Sequence, residues 1–194
     1  IKNSVTSFMS QQGLSASIEG FNWEFNLLQS NDVNAWCMPG GKVAVYTGIL
    51  PITLNDDGLA TVMGHEIAHA IAKHSNERYS NAMIAQGAGA ILGGAVTKTE
   101  AGKGVFNQVF GVGAQAGVLL PNSRKQESEA DRLGLTFMAM AGYNPDSAVS
   151  FWTRMSQKSG GQAPPEWIST HPSDATRIAD IKKYLPEART YYKK

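Results

Sequence analysis

The chain has 194 residues, 42% hydrophobic and 17% charged, enough for one domain with a real core and no internal linker to divide it. Seventeen basic against sixteen acidic side chains leave a net charge of +1, which excludes a nucleic-acid binder working by bulk electrostatics. Cys37 is the only cysteine, so an intrachain disulfide and a thiolate-held metal are excluded as well.

Residues 1–12 carry Val5, Phe8 and Met9 at helical spacing and stop at Gly13, which predicts a short helix. Phe21, Trp23, Phe25 and Leu27 then alternate with polar neighbours, as in a half-buried strand. After a turn at Ser30-Asn31-Asp32 come a second strand over 34–38, a turn at Pro39-Gly40-Gly41 and a third strand over 42–47, together a small antiparallel sheet. A helix follows from Gly58 to Lys73, with Asp56 or Asp57 as its expected N-cap. Residues 82–96 hold no charge and are rich in small side chains, too short a run for the ~20 residues that span a bilayer. With the second apolar stretch, Val105 to Leu120, they predict a hairpin of helices, and residues 83–120 are the place for any peripheral membrane contact. A helix from Ser123 to Ala141, one opened by Asn144-Pro145 and running to Lys158, a flexible loop over 159–165 and a last helix ending near Leu185-Pro186 complete the chain. An opening at Ile1 rather than Met is expected of a trimmed chain or a mature product, with any signal peptide, lipid-attachment cysteine or anchor lying upstream.

The helix over 58–73 contains His65-Glu66-Ile67-Ala68-His69, the H-E-x-x-H arrangement. Residues four apart stack on one helix face, so His65 and His69 can aim two imidazole nitrogens at one point, with Glu66 beside it. Two neutral imidazoles and a carboxylate from elsewhere make a zinc site with an open fourth position for water, and Glu66 is placed to take that water's proton. Leu59, Val62, Met63, Ile67 and Ile71 surround the helix with apolar side chains, which predicts burial. Gly64 weakens the helix by about 1 kcal/mol relative to Ala.

The helix from Ser123 offers the third ligand. At roughly 100° per residue, its apolar arc (Leu133, Gly134, Phe137, Met138, Ala141) includes the angular position of Glu127, with Asp131 on the same side and Glu129, Arg132 and Thr136 on the other. Two carboxylates on an apolar face with no basic residue spaced to pair locally are costly unless a cation compensates them, and zinc is the cation expected to compensate both. Spacing alone does not rank Glu127 above Asp131 as the direct ligand.

His65-Glu-Ile-Ala-His-Ala-Ile-Ala-Lys-His74, the Ser123-to-Gly134 segment, Asn34-Ala-Trp-Cys-Met-Pro-Gly-Gly41 and His171-Pro-Ser-Asp-Ala-Thr-Arg177-Ile occur in the order found in one family. Together they resemble the HtpX/CAAX-prenyl-protease family of gluzincin zinc metallopeptidases, and most of all its soluble bacterial envelope branch (BepA- and LoiP-like proteins, akin to Oma-type peptidases). The resemblance implies an α+β fold, mostly helical with a small antiparallel sheet, forming one metallopeptidase domain over 1–194. It implies one zinc ion, Glu127 as the ligand with His65 and His69, and Asp131 as the hydrogen-bond partner of a ligand histidine. His171 is implied either as an extra resting-state ligand or as an oxyanion donor, with Arg177 positioning it or sharing that charge. The location implied is the bacterial periplasm or cell envelope, as a lipoprotein if an upstream signal exists, and the partners are unfolded or envelope proteins. A zinc-stabilised chaperone module that holds such proteins without cutting them is the alternative, disfavoured by the intact Glu66.

Three further side chains are given no part in the chemistry. His74, about 180° from His65, is a helix-end histidine, Glu77 has no role, and Cys37 is a small buried apolar residue. The strand over 42–47 is expected to flank the metal cleft and offer a free edge to an extended peptide.

Overall fold

A computed structural model of the chain describes residues 1–96, 120–158, 171 and 175–193. The second apolar stretch up to residue 119 and the loop over 159–165 lie outside the described residues. Among the described residues there are seven α-helices, α1 (Lys2–Gln11), α2 (Leu50–Thr53), α3 (Asp56–Ile71), α4 (His74–Val96), α5 (Leu120–Met140), α6 (Ser147–Lys158) and α7 (Ala175–Tyr191). Three strands join them, β1 (Glu24–Leu28), β2 (Ala35–Met38) and β3 (Lys42–Tyr46), so the mostly helical α+β class holds. None of the described helices is long and apolar enough to cross a membrane. By contacts the chain forms two compact units, Ile1–Ala72 with Ser128–Lys194, and Lys73–Glu127.

In the first unit the sheet is mixed, not antiparallel throughout. Its order is β1-β3-β2, with β2 antiparallel to β3 and β1 parallel to it. The cause lies at Ser30-Asn31-Asp32, which is not a hairpin turn but a crossing over the far end of β3. Gly48 donates its N–H to the Ser30 carbonyl at 2.8 Å, and the Thr47 hydroxyl donates to the same carbonyl at 2.8 Å. A Cβ on Gly48 would lie 2.4 Å from the carbonyl oxygens of Asn31 and Asp32, so only glycine lets the crossing chain pass.

Two expectations are corrected by this topology. β3 is the central strand, hydrogen-bonded on both sides, so it has no free edge. β1 is an edge strand with every residue exposed, not half-buried, because only β3 covers it on one side. Phe21, Trp23 and Phe25 pack on one another along its face, with ring centroids 5.1 and 6.2 Å apart.

α3 is the axis of this unit, and nearly all of it is buried. On one side Val62 joins a core of Ile49, Ile52, Met138, Phe151, Trp152, Met155 and Ile181. On the other, Ile67 and Ile71 join Val5, Met9, Val43 and Phe137. Its N-cap is Asn55, one residue before the expected aspartates; the Asn55 side chain accepts from Gly58 N at 2.9 Å. Asp57 instead accepts from Asn144 N at 2.9 Å, tying the start of α3 to the chain entering α6.

α7 continues through Pro186 to Tyr191 instead of ending there. Leu185 and Ala188 are both in the core, and Glu187 bonds Arg132 at 2.7 and 3.0 Å while Arg189 pairs with Asp146. These contacts on either side of the proline outweigh the hydrogen bond it removes.

In the second unit, α4 opens with His74, directly after Lys73 turns the chain at φ 58°. His74 is therefore the buried first residue of a new helix, not the end of the preceding one. Glu77 has a local role, accepting from Gln126 Nε2 at 2.8 Å. Tyr79, Met83 and Ile84 on α4 are exposed.

Candidate metal centre

His65, Glu66 and His69 leave the same stretch of α3, and all three are buried. His65 Nε2 lies 3.0 Å from His69 Nε2 and 3.1 Å from His171 Nδ1. The three rings meet with centroids 4.6, 4.9 and 5.1 Å apart. An imidazole nitrogen carries one in-plane lone pair or one proton, so His65 Nε2 cannot bond both neighbours well. Three nitrogens turned toward a common point suit a cation between them. Zinc–nitrogen bonds of 2.0–2.1 Å at tetrahedral angles would space the nitrogens about 3.3 Å apart. The described residues thus fit a zinc ion, and neutral imidazole is the right donor for it.

The other side of His65 is fixed by its neighbours. Asp131 Oδ1 lies 3.0 Å from His65 Nδ1, so the proton sits on Nδ1 and Nε2 carries the lone pair that would face a metal. Burial pushes the Asp131 carboxyl up, but the Arg177 charge and the bonds from His65 and Arg177 outweigh it and hold the group below the ordinary carboxylate range. Arg177 Nε and Nη2 donate to the two Asp131 oxygens at 2.8 and 2.7 Å, a bidentate pair. The cation that compensates Asp131 is therefore Arg177, more than forty residues away in sequence and invisible to local spacing.

Glu127 and Asp131 are four residues apart on α5 and both are buried, so their carboxylates leave the same helix face. Glu129 and Arg132 are exposed, as the angular reading requires, but Thr136 is buried and donates to the Arg132 carbonyl at 3.1 Å. α5 approaches α3 closely through two glycines. A Cβ on Gly64 would meet Gly134 O at 2.6 Å, and one on Gly134 would meet His65 N at 2.8 Å. The missing Cβ that weakens the helix at Gly64 is also what allows this contact, which brings Asp131 within reach of His65.

Glu66 Oε1 lies 3.5 Å from His171 Nε2. Cys37, on β2, is buried, and burial together with the Glu66 charge pushes its thiol up to about 12. It is inert in the neutral range, as expected of a small apolar residue. One contributor escaped the sequence reading altogether. Trp152 on α6 lies under Arg177, whose Cζ is 3.5 Å from the ring centroid. In sequence it is one apolar residue of an amphipathic helix, with nothing to separate it from Phe151 or Met155.

The model for peptidase family M48 matches residues 2–185. The mitochondrial metalloendopeptidase OMA1 of Saccharomyces cerevisiae is 37% identical over 182 residues, covering 90% of this chain and 50% of the yeast protein. The putative beta-barrel assembly-enhancing protease of Vibrio cholerae is 32% identical over 174 residues, covering 86% of this chain and 35% of its own. Human OMA1 is 29% identical over 190 residues, covering 88% and 34%. The chain thus spans about half the length, or less, of the curated relatives it matches. With its H-E-x-x-H helix and converging histidines at the centre of the matched region, the chain belongs to peptidase family M48.

Proposed function

We propose that the chain is a zinc-dependent endopeptidase, with residues 1–194 forming one metallopeptidase domain. The observation that carries this reading is the convergence of His65, His69 and His171 beside the buried carboxylate of Glu66. Zinc would be held by His65, His69 and Glu127, the His₂Glu set of catalytic zinc sites. Supporting Glu127 are its burial and its place one helical turn before Asp131, the residue that orients His65.

When bound, zinc lowers the pKa of a water molecule and polarises the substrate carbonyl. Glu66 accepts the proton of the attacking water on its carboxylate and later delivers it to the leaving amine. Asp131 holds His65 in the tautomer that faces the metal, and Arg177 holds Asp131, so we assign Arg177 to positioning through its two bonds to that carboxylate. His171 Nε2, beside Glu66 Oε1, is poised to donate to charge developing on the carbonyl oxygen once it leaves its resting position. In that resting position its other nitrogen stands against His65 Nε2, which supports His171 as a ligand that substrate must displace. The edge offered to an extended peptide would be that of β2, which carries Cys37 near Glu66, since β3 is covered on both sides.

The substrates would be unfolded or envelope proteins, and the location the bacterial periplasm or envelope. The relatives named beta-barrel assembly-enhancing protease support this, while those named mitochondrial give the compartment a second candidate. The test is zinc analysis with cleavage of an unfolded protein by the wild type and Glu66→Gln. The variant should keep zinc and lose about 100-fold to 10,000-fold in rate. A wild type that binds the unfolded protein and never cleaves it would replace the enzyme with the chaperone reading.

A further inference from the structure

We propose that Trp152 is a positioning residue of the metal centre, acting through Arg177 and Asp131 on His65. The inference rests on the metallopeptidase reading above. Four helices meet at this contact: Trp152 on α6, Arg177 on α7, Asp131 on α5 and His65 on α3. All four side chains are buried, so water does not set their orientation.

The guanidinium of Arg177 is held along its edge and packed over the Trp152 ring. Its edge donates to both oxygens of Asp131. Its Cζ sits 3.5 Å from the centroid of the Trp152 ring, within cation–π range. Its Nη2 is nearly equidistant from the two nitrogens of His65, 3.2 Å from Nδ1 and 3.3 Å from Nε2. In the ring plane, a position so nearly equidistant from both nitrogens would overlap the Cε1–H group between them, so Arg177 reaches the imidazole over its face. The Trp152 ring itself stands edge-on to His65, with centroids 5.9 Å apart and planes at 74°.

The bidentate pair with Asp131 sets the direction of the guanidinium, whereas a hinge about that shared edge leaves tilt to be restrained by what lies over the guanidinium plane. The flat indole removes the tilt. With Arg177 fixed, the Asp131 carboxylate is fixed, and so is the direction of the His65 Nδ1–H bond that aims Nε2. The side chain at 152 must therefore present an aromatic face, not merely fill space.

The experiment measures zinc affinity by chelator competition, and thermal unfolding of the metal-free protein, for the wild type, Trp152→Phe, Trp152→Leu and Arg177→Lys. Partners of this kind alter metal affinity by about 10-fold to 100-fold, and that loss is expected for Trp152→Leu. Trp152→Phe keeps a π face and should stay within about 3-fold of wild type, although both variants leave a cavity and melt earlier. Arg177→Lys keeps the charge but loses the paired bonds and the flat stack, and should weaken zinc binding as Trp152→Leu does. Equal zinc loss in Trp152→Phe and Trp152→Leu, or full zinc affinity in Trp152→Leu despite a lower melting temperature, would reduce Trp152 to a core residue. If Trp152→Leu does not fold, unchanged zinc affinity in Arg177→Lys overturns the proposal on its own. A wild type that binds no zinc would overturn the metallopeptidase reading, whereas zinc in the wild type with unaltered variants overturns only this inference.

Discussion

Gly134→Ala tests whether the close approach of α3 and α5 sets the metal centre. A Cβ at 134 would lie 2.8 Å from His65 N, 2.9 Å from Gly64 C and 3.0 Å from His65 Cα, all backbone atoms that cannot rotate away. Restoring ordinary carbon contacts of about 3.5–4.0 Å requires the helices to part by roughly 0.5–1 Å. Asp131 is three residues before Gly134 on the same helix, so the 3.0 Å contact from His65 Nδ1 to its Oδ1 would open past hydrogen-bond range. Overpacking of this kind costs about 1–3 kcal/mol, and alanine returns up to about 1 kcal/mol through helix propensity. The difference spans about 0–3 kcal/mol, and the middle of that range is a net loss of about 1–2 kcal/mol. At about 2–4 °C per kcal/mol for a chain of this size, that is a fall of roughly 2–8 °C in melting temperature. Zinc affinity should fall about 10-fold to 100-fold with it. Differential scanning fluorimetry of the metal-free protein and chelator competition read the two effects. A variant that melts at or above the wild-type temperature and binds zinc equally well would refute the reasoning.

The ligand assignment is checked by comparing two glutamates on one helix: Glu127→Ala should lose zinc, whereas exposed Glu129→Ala should keep it, and equal retention in both would remove Glu127 from the site. His171→Ala should keep zinc and raise basal cleavage of a small peptide if His171 crowds the open position at rest; a fall in activity with zinc retained would make it a transition-state donor instead. Cys37, with its thiol pushed up to about 12, stays protonated at pH 8 and should resist iodoacetamide until the protein unfolds. Rapid, complete alkylation of the native protein would contradict its burial.

The helical plan and the H-E-x-x-H motif were legible in the sequence because both depend on spacing within one element. The buried pair Glu127 and Asp131 was legible for the same reason, through its angle on α5. The direction of β1 was not, since it turns on whether Ser30-Asn31-Asp32 folds back or crosses, and that depends on Gly48 many residues later. Asp131 was expected to be compensated by zinc, whereas the cation bonded to it is Arg177, which comes from a helix more than forty residues on, and no local periodicity links them. Trp152 was hidden for a related reason: its distinction from other apolar residues of α6 exists only once Arg177 lies across its ring. Pro186 misled because its cost is local, whereas the core contacts of Leu185 and Ala188 that keep α7 intact are tertiary.

The position of α3 between two hydrophobic clusters also governs what metal binding must achieve. In many small zinc domains the ligands are unordered without the ion, and much of the binding energy is spent organising them. Here His65 and His69 project from a helix whose other residues are already packed on both sides, so their backbone and much of their side-chain freedom is lost during folding itself. Zinc then meets a pair of nitrogens with little entropy left to lose, and its affinity can be spent on the ion instead of on shaping the polypeptide.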